Sequence, residues 1–158
     1  MRQTMKLKAV PMTRTAAKEW IEQVHRHHKK ASVSDIFRIG CIDENNPDEI
    51  IGVIQVGRPV ARALCTGFSL EVTRLAVKEN CPNVCSFLYA RAARVGRNLG
   101  YDIIYTYILK IENGASLRAV AWSCDGAAGG GSWDTPSRRR QQQLFPQMRK
   151  VRYHKMLS

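Results

Sequence analysis

The chain has 158 residues, enough for one domain with a full hydrophobic core. Its 44% hydrophobic content excludes a disordered polymer, and no apolar run approaches the roughly 20 residues that span a bilayer. Lysine and arginine total 25 against 13 acidic residues, and the net charge of +12 points to a polyanionic partner such as DNA rather than to a membrane span.

The opening MRQTMKLKAV has no signal-peptide apolar region. The five cysteines (Cys41, Cys65, Cys81, Cys85 and Cys124) form no CxxC pair. Such a set predicts reduced thiols in a cytoplasmic protein, not a disulfide framework or a zinc ribbon.

Leu7 to Pro11 predicts a short first strand. Thr13 or Thr15 caps a helix running to about His28, with Ala17, Trp20, Ile21 and Val24 on its apolar face. The helix ends in HRHHKK, cations that suit the negative end of its dipole. Ile36 to Ile42 and Glu49 to Val56 predict two antiparallel strands joined by the polar loop DENNPDE, the chain's acidic patch. Gly57, Arg58 and Pro59 interrupt the second strand, and Val60 to Leu64 reads as its continuation.

Ser69 to Val77 predicts a strand built on Leu70, Val72, Leu75 and Val77. Lys78 to Asn83 is a polar turn, and a helix begins near Asn83 or Val84. Leu88, Ala92, Val95 and Leu99 form its predicted buried face, and Gly100 its left-handed stop. Asp102 to Leu109 is a strand apolar almost throughout, as expected for one buried on both faces. Asn113 to Trp122 predicts a short helix, and Trp122 to Gly126 opens another strand. The AAGGGS run after it is too rich in glycine for a regular element. Pro136 to Ser158 carries seven basic residues and no acidic one, and Lys150 to Met156 predicts a last strand. There is no internal repeat or linker, so a single domain over 1–158 with a basic segment from about 136 is expected. The order predicts an α/β (α+β) domain: a mixed, mainly antiparallel sheet flanked by helices.

A strand feeding a helix N-terminus collects free backbone N–H groups and a positive dipole end, which suit a phosphate. Asn83 and Ser86 are candidate phosphate donors or caps. Cys85, in the first turn, is either an activated thiol or a small buried residue. Arg58 and Arg62 offer forks for phosphate, or form a solvated bulge. Tyr105 and Tyr107 share a strand face, and either could donate a proton to a leaving thiolate or belong to the core. Trp133 beside Arg138, Arg139 and Arg140 offers a stacking ring with phosphate-binding cations. Glu71 and Arg74 differ in parity along the strand, so they are expected on opposite faces.

LEVTRLAV, the helix from Leu88 to Gly100 with its LGY exit, and NGASLRAVAW together resemble the GNAT acyltransferase superfamily over roughly residues 5 to 126. HRHHK, VGRPVARAL, LEVTRL and GASLRAVAWSCDGAAGGGSW more narrowly resemble phage- and prophage-encoded GNAT-like proteins. A looser kinship extends to the phage Mu Mom protein, which modifies adenine in DNA. The resemblance implies acetyl-CoA or another acyl-CoA as donor, an amine acceptor, and a bacterial host carrying a phage. It implies that Leu75, Val77, Asn83, Val84, Cys85 and Ser86 hold the donor, with Asn113 and Ser116 at its pantetheine arm. It places Glu71 as general base and His25, His27 and His28 at the acceptor entrance, where His25 and His28 share a helix face and move protons. No carboxylates accompany these histidines, so no metal site is assigned. Asn80 to Ser86 departs from the family's phosphate loop in having no glycine and no Arg or Gln in place. Three readings result: a DNA-modifying transferase, a nucleic-acid-binding protein that has lost catalysis, and an N-acetyltransferase for a small molecule or protein.

Overall fold

The computed structural model describes residues 4–24, 31, 34–109, 112–127 and 150–158. In chain order these form β1 (Leu7–Val10), α1 (Arg14–Val24), β2 (Phe37–Asp43), β3 (Asn46–Gly57), β4 (Ser69–Val77), α2 (Val84–Asn98), β5 (Ile103–Leu109), α3 (Ala115–Arg118), β6 (Ser123–Ala127) and β7 (Lys150–Met156). The strands make one seven-stranded sheet in the order β1-β2-β3-β4-β5-β7-β6. Only β4 and β5 pair in parallel, and α2 supplies the crossover that such a pair requires. The predicted mixed sheet is therefore the observed one.

The strand alternation assigns two faces. Ile54, Leu70, Val72 and Ile104 pack under α2, against Val84, Leu88, Tyr89, Ala92 and Ala93. Val84 and Leu88 are fully buried, each contributing on the order of 2 kcal/mol. On the opposite face Val53 and Ala76 meet Ala17 and Ile21 of α1. The Thr13 hydroxyl caps α1 by accepting from the Ala16 amide at 3.1 Å.

Several expectations are corrected. Only Glu44 and Asn45 form the turn in DENNPDE; β3 starts at Asn46, and Pro47 sits where the register slips between Ile42 and Asp43. Val60 to Leu64 does not continue the strand, because Arg62–Leu64 is a 3-10 turn. The short helix is only Ala115–Arg118, since the chain turns left-handed at Ala121. β5 is buried along Ile104 and Thr106 but only half-buried at Tyr105 and Tyr107, so its second face is open. Leu99 is 57% exposed: α2 ends at Asn98, and a 3.6-residue period leads from Leu88 and Ala92 to Gly96. Gly100 takes the predicted left-handed stop, with φ +93°.

Candidate functional site

The site begins where β4 and β5 part. Their ladder runs from Ser69 opposite Ile103 to Val72 opposite Thr106 and then ends. Beyond it β4 continues to Val77 against β3, and β5 continues to Leu109 against β7. The fork leaves Thr73 to Val77 without a β5 partner, so backbone groups of β4 face the gap. Thr73 is an extra residue in β4, because Gln55 pairs with Arg74 while Val56 pairs with Val72. A bulge of this kind bends the strand and re-aims the residues beyond it.

That bulge overturns the parity expectation. One inserted residue restores the phase, so Glu71 and Arg74 share the α1 face. Burial pushes the Arg74 guanidinium below its ordinary range, and the Glu71 carboxylate opposes that shift. Glu71 is only 6% exposed, which excludes a solvent-facing glutamate. Burial pushes its carboxyl above the ordinary range, opposed by the Val60 amide, which donates to Oε1 at 3.2 Å, and by Lys150 and Arg74. The Gly57-Arg58-Pro59 turn thus serves Glu71 through the Val60 backbone. Arg58 and Arg62 themselves are exposed.

Cross-strand partners share a face, so Gly57, Glu71, Tyr105, His154 and Ser123 form one row across the sheet. The next residue of β5 on this face is Tyr107, opposite Arg152 and just past the fork. Burial and the nearby Glu71 raise the Tyr107 phenol, while Arg152 opposes them through a hydrogen bond.

At the mouth of the fork, Lys78 to Asn83 turns into α2. Asn80 and Asn83 have φ of +60° and +68°. They take the left-handed turns for which glycine is the usual residue, and asparagine is among the side chains that do so at least cost. No side chain caps α2, and its first turn has no acidic residue. The Ser86 hydroxyl instead donates to the Asn83 carbonyl at 3.0 Å. The first-turn amides of α2 therefore stand at the positive end of the helix dipole, where an anion is favoured. Leu75 and Val77 line the free arm of β4 on the α2 side, half-buried against the core. Asn113 Oδ1 accepts from the Ala115 amide at 2.9 Å and so starts α3, which packs against α2; Ser116 is half-buried in that helix.

The fold thus gathers Glu71, Tyr107, Leu75, Val77, Asn83, Val84, Cys85 and Ser86 around the fork and its mouth. Arg62 lies in the turn before β4. His25, His27, His28, Trp133, Arg138, Arg139 and Arg140 lie outside the described residues. Sequence reasoning passed over Asp125, Arg152 and His154, which join this face only because β7 inserts between β5 and β6. Among the described residues no group of three or more metal-ligating side chains assembles. Among them, too, no helix is long and apolar enough to cross a membrane.

This fold is that of the GNAT N-acetyltransferases. The chain is similar to an N-acetyltransferase from Staphylococcus aureus, with TM-score 0.67 at 12% identity over 96% of this chain and 98% of that one. It is also similar to the ribosomal-protein-S18-alanine N-acetyltransferase of Escherichia coli, with TM-score 0.66 at 9% identity over 97% and 95%. The spermidine/spermine N-acetyltransferase SpeG of Vibrio cholerae gives TM-score 0.63 at 13% identity over 96% and 93%. No family model matches the chain, and no curated protein matches it in sequence.

Proposed function

We propose that the protein is a transferase that moves an acyl or related group from an acyl-CoA to an amine, and that the amine is carried by a DNA base. The observation that carries the first half is the fork opening onto an uncapped helix N-terminus. The residues fit such a donor. The amides of Val84 to Ser86 and the α2 dipole suit a pyrophosphate, and the free edge of Thr73 to Val77 suits a chain of amides laid alongside it. When bound, acyl-CoA supplies a thioester whose acyl carbon accepts an amine electron pair as the carbon–sulfur bond breaks. The Glu71 carboxylate, made a stronger base by burial, receives a proton from the acceptor, directly or through water. The Tyr107 hydroxyl, beyond the fork, supplies a proton to the departing sulfur.

The DNA acceptor is supported by the net charge of +12 and by the resemblance to phage GNAT-like proteins. A base in a duplex must first be flipped out, at a cost of a few kcal/mol. Acetyl-CoA at about 100 times its dissociation constant stabilises a protein by about 2.7 kcal/mol, so a melting rise of at least roughly 5 °C is expected. Nucleosides from plasmid DNA co-expressed with the protein should carry a new mass. Unmodified nucleosides with salt-dependent DNA binding intact would identify a binding protein instead. Acetyl-CoA binding without DNA affinity at low salt would redirect the search to small-molecule or protein amines.

A further inference from the structure

Opposite α2, on the β5–β7–β6 half of the sheet, His154 meets a fixed carboxylate. Its Nδ1 lies 2.6 Å from Asp125 Oδ1, and Arg152 Nε donates to Asp125 Oδ2 at 2.9 Å. The register explains this aim. Cys124 pairs with Tyr153 and Gly126 with Arg152, so Asp125 is an extra residue bulged toward its two partners, with Gly126 at φ +91° beside it. Arg152 is fixed in turn: its guanidinium lies 5.5 Å over the Tyr105 ring, and Asp125 raises its pKa. The His154 ring is tilted against Tyr105 at 6.5 Å and retains 27% side-chain exposure. It stands in the same transverse row as Glu71, with only Tyr105 between them.

We propose that Asp125 and His154 form a proton-accepting dyad on the acceptor side of the fork, with His154 Nε2 the atom that takes the proton. This deepens the transferase reading and rests on it for the identity of the proton's source. A carboxylate bound to Nδ1–H fixes the tautomer and leaves a lone pair on Nε2. The proton that Glu71 takes from the acceptor nitrogen passes on through water to Nε2, Asp125 balances the imidazolium charge, and the imidazolium returns the proton to bulk water. Arg152 is a positioning residue: it holds the second carboxylate oxygen and stops Asp125 from turning away. The other groups on this face are Glu71, Arg74, Tyr105, Tyr107 and Lys150.

Two measurements test the dyad without acyl-CoA. In nitrogen-15 spectra of the imidazoles, one histidine should show the Nδ1–H tautomer, vanish in His154→Gln and change tautomer balance in Asp125→Asn. Hydrolysis of 4-nitrophenyl acetate should be faster for the native chain than for His154→Gln by about tenfold or more, with Asp125→Asn between them. A purely structural ion pair would lower stability in both variants and leave the rate per folded molecule unchanged. Equal rates for the native chain and His154→Gln, or an Nε2–H tautomer at His154, would overturn the proposal. Failure of acetyl-CoA to bind would instead remove the transferase reading and leave the dyad's result standing.

Discussion

Gly52→Ala should loosen the seat of α2 and, with it, the donor end of the fork. A Cβ at Gly52 would sit 2.6 Å from Val84 Cγ1 and 3.0 Å from Leu88 Cδ1. Carbon atoms rest at about 3.5–4.0 Å, so about 1 Å must be found. Val84 is β-branched, fully buried and the first residue of α2, so it has little rotamer freedom to give. The helix start must move instead, and overpacking of this kind costs about 2 kcal/mol. Melting should fall by roughly 4 to 8 °C for a domain of this size. Because the displaced turn carries the amides of Val84 to Ser86, acetyl-CoA affinity should fall roughly fivefold for each 1 kcal/mol of lost contact. Gly96→Ala is the control. Its Cβ would meet Leu70 Cδ1 at 2.8 Å and Leu157 Cδ1 at 3.2 Å, both ends of flexible side chains near the far end of the helix. Replacing a glycine within the helix also recovers up to about 0.5–1 kcal/mol, so its net stability change should be small and its donor affinity native. Urea unfolding and titration calorimetry read both quantities. A native urea midpoint for Gly52→Ala would refute the packing argument. A lowered midpoint with native affinity would show that the donor does not lie at this helix start.

Glu71→Gln keeps an acceptor for the Val60 amide but cannot ionise. Burial raises the native carboxyl above its unfolded value, so native stability is fully present below the unfolded pKa and is lost as pH rises through the raised one. The variant should lack that loss in a pH series of urea midpoints, while transferase activity falls by about 100-fold or more. Asp35→Ala removes a carboxylate whose side chain is 1% exposed, held by Arg38 at 3.0 Å, Gln55 at 3.0 Å and Arg14 at 3.4 Å. Loss of about 3 kcal/mol is expected, since Arg38 stays largely buried without its partner, and thermal melting checks it. Gly114→Ala places a Cβ on the Tyr153 hydroxyl at φ +66°, whereas Gly126→Ala adds one in open space at φ +91°. The first should therefore lower the melting temperature more than the second, which bears only the backbone strain of about 1–2 kcal/mol.

The parts legible in the sequence are those governed by local period. Ser69–Val77 and Lys150–Met156 form strands at the predicted bounds, with apolar residues at every second position on either side of Thr73 and at Val151 and Tyr153. α2 starts after Asn83 as predicted and stops before Gly100, since a left-handed residue stands at each end. What period cannot show is an inserted residue. The Thr73 bulge has no composition of its own, yet it moves Arg74 onto the Glu71 face and reverses an argument made from parity. The Asp125–His154 pair is hidden for another reason. Its members are 29 residues apart, and they meet because β7 enters the sheet between β5 and β6. No local signal encodes that insertion. The lack of loop glycines matters less than the sequence suggested, because Asn80 and Asn83 adopt the same backbone region.

In the proposed transferase, the two bulges would keep the donor and acceptor ends of the site apart yet within reach across one sheet. α2 covers one face, so its N-terminus and the free arm of β4 present amides toward the α2 side. Glu71, Tyr107 and His154 all point to the other face, where α1 covers only the β2–β4 half among the described residues. A packed sheet separates such faces completely, because its ladder leaves no gap between neighbouring strands. The opening between β4 and β5 is the exception, and it starts at Thr73, two residues past Glu71. An extended donor reaching through that gap from the α2 side would bring its reactive end to the row of Glu71, Tyr105 and His154. The Thr73 bulge turns Arg74 toward this row, and the Asp125 bulge orients His154 within it. Deleting Asp125 would keep the β6–β7 pairing continuous but remove the carboxylate that orients His154, so chemistry should fail before folding does.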